Sequence, residues 1–215
     1  MSDCCDPSGY RRFFNTKEAK RHARSFQQKG LDSTEGPMVD ALSNSLDGKS
    51  LLDVGAGSGG ATVELLRRGA GSAVAVDISD AYRPVIQILL EDAGVADQAS
   101  FVVGDLVEMG AEVGPADVVF GNRVICCYPD MPAMVDAMTS RAQDRLAASY
   151  PRDRWITRLG IRFLNLVLRL RKVGFQAYVH SPQEIKNRVE RAGFELTASG
   201  KTPIWLWQVW QRSAE

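Results

Sequence analysis

The sequence predicts an α/β fold with a mostly parallel sheet, and three observations carry that prediction. The apolar run Ser50–Val54 passes directly into the glycine-rich turn Gly55-Ala56-Gly57-Ser58-Gly59-Gly60, and Thr62-Val63-Glu64-Leu65-Leu66 then reads as a helix. Downstream, short apolar runs alternate with helical patterns, which is how parallel βαβ units are written. The chain closes on two strand-like runs with no helix between them, 194–199 and 205–211, joined by Gly200-Lys201-Thr202-Pro203.

Residues 1–9 are expected to be irregular, because Pro7, Ser8 and Gly9 interrupt any regular element. Asn15-Thr16-Lys17-Glu18 has the form of a capping box, so a helix is predicted from Thr16 to Lys29, stopped by Gly30. A second helix, 35–44, leads through Asp47-Gly48 to the first strand, 50–54. Helices at 61–69, 81–93 and 131–142 then alternate with strands at 73–77, 100–104, 117–121 and 145–150. Ser181-Pro182-Gln183-Glu184 opens the last helix with proline at its first position, and Gly193 ends it. Trp205, Trp207 and Trp210 are expected to pack the last strand.

Between these lies a basic helix at about 153–171. Arg154, Arg158, Arg162, Arg169 and Lys172 stand opposite Trp155, Leu159, Phe163, Leu166 and Leu170. The expectation is an apolar face packed on the core beneath a solvated cationic face. An anionic acceptor or an acidic membrane surface is the alternative partner for the arginines.

Bulk properties bound the function. A chain of 215 residues, 45% hydrophobic and 24% charged, suits one globular domain with a cap. Lys+Arg and Asp+Glu both number 26, and this balance argues against a nucleic-acid partner, which usually demands a basic surface. No run approaches the ~18 apolar residues of a spanning helix, and no membrane partner is expected. The first residues lack the basic and apolar regions of a signal peptide, so a cytoplasmic location with reduced thiols is expected.

The chemistry centres on the turn after the first strand. Glycine at 55, 57 and 59 permits a tight turn and close approach to a ligand, and the helix start beyond offers N–H groups. Asp53 sits inside the strand, just before the turn. This arrangement predicts a nucleotide-type cofactor. Gly55-x-Gly57-x-x-Gly60 satisfies the dinucleotide fingerprint, with Asp77 22 residues after Gly55, so an NAD-dependent oxidoreductase is one reading. The other rests on Asp53-x-Gly55-x-Gly57-x-Gly59 with two more acids, Asp77 after Ala73-Val74-Ala75-Val76 and Asp105 after Phe101-Val102-Val103-Gly104.

This second pattern resembles the class I S-adenosylmethionine-dependent methyltransferases. The resemblance implies a Rossmann-like methyltransferase fold with a seven-stranded, mostly parallel sheet whose last strand runs antiparallel. It also implies an N-terminal helical lid over 1–48, a cofactor domain over 49–215, and an acceptor-site insertion over 153–180. Asp53 with Gly55, Ala56, Gly57 and Gly59 would hold the methionine end of S-adenosylmethionine. Asp77 would bind the ribose hydroxyls, and Ile78 would pack on the adenine. Asp105, following Gly104, would accept from its amine, and Leu106 would offer a backbone N–H. Asn122 and Arg123 would meet the methionine part beside the acceptor. Asn122, Tyr128 and His22 are the catalytic candidates.

A narrower similarity links Phe13-Phe14-Asn15, Ile125-Cys126-Cys127-Tyr128-Pro129-Asp130 and Tyr178-Val179-His180-Ser181-Pro182 to the magnesium-protoporphyrin O-methyltransferases. Phe13 stands where that family has tyrosine and Cys127 where it has histidine, so the ancestry is kept and the porphyrin substrate is not. The function expected is methyl transfer to an oxygen, nitrogen or sulfur of a small-molecule acceptor. A cofactor-binding regulatory module without chemistry is the non-enzymatic rival.

All four cysteines are paired neighbours, Cys4-Cys5 and Cys126-Cys127. In an extended segment, one of Cys126 and Cys127 would face the pocket and the other the core. No metal is expected. A soft metal or metalloid held by Cys127 with Cys4 or Cys5 is the bolder alternative.

Overall fold

Parallel strands need crossovers, and this chain supplies a helix for most of them. The computed structural model describes residues 7–110 and 112–213, the side chains of Pro7 and Ser45 aside. The strands are β1 (Ser50–Val54), β2 (Ser72–Asp77), β3 (Ala99–Val103), β4 (Ala116–Asn122), β5 (Ala142–Pro151), β6 (Phe194–Lys201) and β7 (Trp205–Arg212). The helices are α1 (Pro7–Phe13), α2 (Thr16–Lys29), α3 (Glu35–Leu42), α4 (Gly60–Arg67), α5 (Arg83–Asp92), α6 (Met131–Thr139), α7 (Trp155–Leu170) and α8 (Pro182–Arg191).

The sheet runs β3-β2-β1-β4-β5-β7-β6. Strands β1 to β5 pair in parallel, and β7 enters antiparallel between β5 and β6. That inserted strand separates the sheet from the 3-2-1-4-5-6 dinucleotide-binding order. Strand order reverses between β1 and β4, so a ligand crevice opens at their carboxyl ends, next to Asp53 and Asn122. Register places Asp53 between Ala75 on β2 and Phe120 on β4.

Both faces of the sheet are covered, and successive strand residues feed opposite cores. Leu51, Val118 and Phe120 join Leu42, Leu65, Ile86 and Leu89 on one face; Leu52, Val54 and Val119 join Met134, Met138, Ile185 and Trp210 on the other. Two-sided burial explains why these strands read as continuous apolar runs rather than as alternating ones.

Helix α2 spans the predicted Thr16–Lys29, with Asn15 Oδ1 accepting from the N–H of Lys17 and Glu18. Three expectations fail. First, of residues 1–9, expected to be irregular, residues 7–9 open the helix Pro7–Phe13 while residues 1–6 lie outside the described ones: proline is tolerated at a helix start, and Gly9 is required there because a Cβ would lie 2.0 Å from the carbonyl oxygen of Gly174. Second, Cys126 and Cys127 lie in a 3-10 turn, Ile125–Cys127, not in extended chain. Third, the apolar stripe of α7 does not meet the core. Trp155 is 73% exposed, Phe163 66% and Leu170 74%, while the helix buries Thr157 and Leu168. Asn165 fastens it instead, donating to the Ala177 carbonyl and accepting from its N–H. Among the described residues, no helix is long and apolar enough to cross a membrane.

Candidate functional site

The turn after β1 places its glycines at φ +66° (Gly55), +54° (Gly57) and +80° (Gly59), where only glycine sits without strain. Its N–H groups are largely spent on holding the turn. Those of Gly55 and Ala56 donate to the Val76 carbonyl, that of Gly59 to Ala56, and that of Gly57 to Asp77 Oδ2 at 3.0 Å. The turn therefore presents a bare glycine surface locked to the end of β2.

That surface forms one wall of a cavity of about 590 Å³ at the switch point. Asp53, Gly55, Ala56, Gly57, Asp77, Ile78, Gly104, Asp105, Leu106, Asn122 and Arg123 all line it, as do Tyr128 and His22. Gly59 is the exception. It is not among the lining residues, and a Cβ on it would lie 2.3 Å from Ile86 Cγ1, so its work is to let α4 pack on α5.

The three acids are held differently. Asp53 is buried and accepts from Thr62 Oγ1 at 2.6 Å; burial, with the nearby charges of Glu35 and Asp77, pushes its carboxyl up to about 7. Asp77 accepts from Gly57 N–H on one oxygen and from Ser79 N–H, at 2.9 Å, on the other. Burial pushes it up to about 6, against the pull of those N–H groups. The Ile78 N–H also bonds to this carboxylate, which with about four acceptor sites keeps room for a hydroxyl. Asp105 accepts from Val107 N–H at 2.9 Å, which folds the chain after β3 back into the wall.

A second polar group escaped the sequence reading: the linker between α2 and α3. Asp32 Oδ1 accepts from the N–H groups of Thr34 and Glu35, and Glu35 Oε2 accepts in return from Asp32 N–H. This is a capping box, Asp32-x-x-Glu35, and its acid-x-x-acid spacing was a usable signal. Burial opposes ionisation of Asp32, yet the bonds from Glu35 and Thr34 hold its carboxyl below the usual range. Burial and the charge of Asp32 raise that of Glu35.

The box is tied to the end of β4. Asn122 donates to Asp32 Oδ2 at 3.2 Å, while its oxygen accepts from the Thr34 and Ser149 hydroxyls. Arg123, a non-glycine residue at φ +58°, pairs with Asp32 at 3.1 Å and lies 4.5 Å over the Trp205 ring. Its Nε is buried without a partner. Two carboxylates and one guanidinium thus converge beside Asp53.

The opposite end of the cavity is apolar. Phe13 stacks on Phe175 at 4.4 Å, and Tyr10 and Phe14 meet the same ring edge-on. The Tyr10 hydroxyl donates to the Cys127 carbonyl. Tyr128 lines the wall, with its carbonyl accepting from His180 Nε2 at 2.9 Å. His22 stacks on Tyr82, its Nδ1 3.1 Å from the phenol oxygen, and burial followed by the Arg21 charge lowers its pKa.

Cys126 and Cys127 do not diverge as an extended segment would require. Both sulfurs sit near the Arg123 carbonyl, 4.0 Å apart, and both residues line the cavity. The bond to Cys126, then burial, raises the Cys127 pKa, so this thiol stays protonated at neutral pH. Among the described residues no cluster of three His, Cys, Asp or Glu could hold a metal ion. Cys4 and Cys5 lie outside the described residues.

A family model described as a methyltransferase domain matches residues 51–147, which run from β1 to β5 and carry all three acids. The matched stretch is under half of the chain and holds the glycine turn with the strands that carry or precede the acids, so over these residues the chain is similar to methyltransferase domains. In sequence it is similar to the magnesium-protoporphyrin O-methyltransferase of Rhodobacter capsulatus, 29% identical over 137 residues that make up 63% of this chain and 59% of that one. It is also similar to the ribosomal protein arginine N-methyltransferase rmt3 of Schizosaccharomyces pombe (strain 972 / ATCC 24843), 36% identical over 75 residues, 35% of this chain and 14% of that one. The chain therefore spans less than two thirds of either curated relative. In fold it is similar to the magnesium protoporphyrin IX methyltransferase (ChlM) from Synechocystis PCC 6803 crystallised with bound SAH, with a TM-score of 0.76, 22% identity, and coverage of 97% of this chain and 100% of that one.

Proposed function

We propose that this protein transfers a methyl group from S-adenosylmethionine to an oxygen of a small, largely apolar acceptor. The observation that carries this reading is the convergence of Asp53, Asp77 and Asp105 on one cavity behind a glycine wall. Gly55 lines the cavity beside Val124, and a Cβ on it would lie 3.0 Å from Val124 Cγ2, so glycine there lets the two walls meet.

When bound, the cofactor supplies a methyl group on a sulfonium, and that group departs from a neutral thioether. The protein's share is then chiefly positioning, which in favourable cases is worth roughly 7–11 kcal/mol. Asp77 takes the ribose hydroxyls, Ile78 and Leu106 flank the adenine, and Asp105 receives its amine. Asp53 and Glu35 attract the ammonium of the methionine end, and Arg123 its carboxylate. Asn122, fully engaged with Asp32, Thr34 and Ser149, is a positioning residue. His22 docks α2 against Tyr82, and Tyr128 orients the acceptor.

Tyr10, Phe13, Phe14 and Phe175 form an aromatic floor for a flat apolar acceptor. Oxygen is the acceptor atom we favour, from the similarity to an O-methyltransferase. An oxygen that ionises in water needs no base, which suits a pocket whose Cys127 stays protonated where related enzymes carry histidine. Calorimetry with S-adenosylhomocysteine and with NAD tests the cofactor: micromolar binding of the first and none of the second is expected, and the reverse removes the reading. Consumption of the methyl donor against a panel of aromatic acids and phenols tests the chemistry. No turnover across that panel with intact cofactor binding would favour a regulatory module.

The acids also set a pH dependence. Asp53 at about 7 and Asp77 at about 6 both stand above their ordinary value of 3.8. The folded chain holds these protons more tightly than the unfolded one, so their contribution to stability is complete below about pH 4 and is lost as pH rises through 6 to 7. Ligand binding has the opposite sign, since ionised carboxylates accept better from hydroxyls and ammonium. S-adenosylhomocysteine affinity should therefore strengthen from pH 5 to pH 8, and Asp77→Asn should flatten the lower part of that profile. A pH-independent affinity would contradict it.

A further inference from the structure

Helix α7 faces the wrong way for an ordinary surface helix. Trp155, Ile156, Leu159, Phe163, Leu166 and Leu170 fall within an arc of about 100° at 3.6 residues per turn, and all six are more than half exposed. The buried residues, Thr157 and Leu168, lie on the opposite side. Arg158, Arg162 and Arg169 line one edge of the apolar arc. From Arg154 to Lys172 the chain carries six cations and no acid, although its net charge is zero. Ile204, 52% exposed, adds to the surface near the start of the helix, where its carbonyl accepts from Arg152 N–H.

From this we infer that α7 is an interfacial docking helix, which lays its apolar face into the surface of an anionic lipid bilayer while the arginines bind headgroups. Outward apolar residues bordered by basic ones are what such helices require. The charge pattern also tells against a second copy as the occupant. Arg158 is paired with Asp153, but a two-fold interface sets each patch on itself and would press the Arg162 and Arg169 edges of two copies together. The placement matters for the cavity, because Leu164 of α7 and Phe175 just beyond it belong to its wall. A docked helix would set that wall at the lipid boundary.

Sedimentation of the full chain with phosphatidylglycerol–phosphatidylcholine vesicles at low salt tests this. Binding is expected with anionic vesicles, with a strong loss on neutral phosphatidylcholine or at high salt. Phe163→Glu with Leu166→Glu should weaken binding by about tenfold or more, and Arg162→Ala with Arg169→Ala by several-fold. S-adenosylhomocysteine affinity, measured on the same preparations, reports that each variant is folded. Brominated lipid should quench the parent chain more than Trp155→Phe. Absent binding to anionic vesicles at low salt would overturn the inference. So would unchanged binding of the glutamate variant, or a stable dimer in solution that this variant splits.

Discussion

Asp77→Ala should bind S-adenosylhomocysteine at least about tenfold more weakly than the parent chain, since a hydrogen bond to a charged group is worth roughly 1.5–3 kcal/mol and each 1.4 kcal/mol is a factor of ten. The side chain does two things that alanine cannot. Its carboxylate is proposed to receive the ribose hydroxyls, and it already fixes the turn by accepting from Gly57 and Ser79. Alanine removes both effects, whereas Asp77→Asn keeps one acceptor oxygen and should fall between. Calorimetry at pH 8, where Asp77 is ionised in the parent chain, gives the cleanest difference. An unchanged dissociation constant would remove Asp77 from the ligand site and the cofactor reading with it.

Gly59→Ala should damage the fold while sparing the ligand. Residue 59 sits at φ +80°, and an L-residue held in the left-handed region costs roughly 1–2 kcal/mol. The added methyl would meet Ile86 at 2.3 Å in a packed core, and overpacking of that kind typically costs a further 1–3 kcal/mol. At roughly 2–4 °C per kcal/mol for a domain of this size, Tm should fall by about 4–20 °C. The residue does not line the cavity, so folded Gly59→Ala should bind S-adenosylhomocysteine as the parent does. A normal Tm with lost affinity would reverse the assignment and return Gly59 to the ligand wall.

The two variants divide the glycine motif into parts that look alike in the sequence. Asp53-x-Gly55-x-Gly57-x-Gly59 spaces its glycines evenly, and the sequence alone treats all three as ligand contacts. The structure separates Gly55 and Gly57, which face the cavity, from Gly59, which faces α5. The polar end of the site was less legible. Asp32 and Arg123 lie 3.1 Å apart in space but far apart in the chain, and no periodicity announces such a meeting. The Asp32-x-x-Glu35 spacing fits a helix start, a signal that went unused, and nothing in it says that the box also walls a cavity.

Local rules determined much of this protein. Asn15 and Gly30 set the ends of α2, the apolar runs set the strands, and glycines after β1 with acids at or near the ends of three strands marked the cavity edge. These features act over a few residues, through dihedral limits, capping and side-chain period, so the sequence holds them whole. Tertiary structure alone decided which elements share a wall. It turned Pro7–Phe13 into a helix seated on Gly174, and it brought Cys126 and Cys127 to one side. It also chose the outward side of α7. An amphipathic stripe records only that one flank of a helix is apolar; whether that flank meets the protein depends on where Asn165 and Leu168 anchor it.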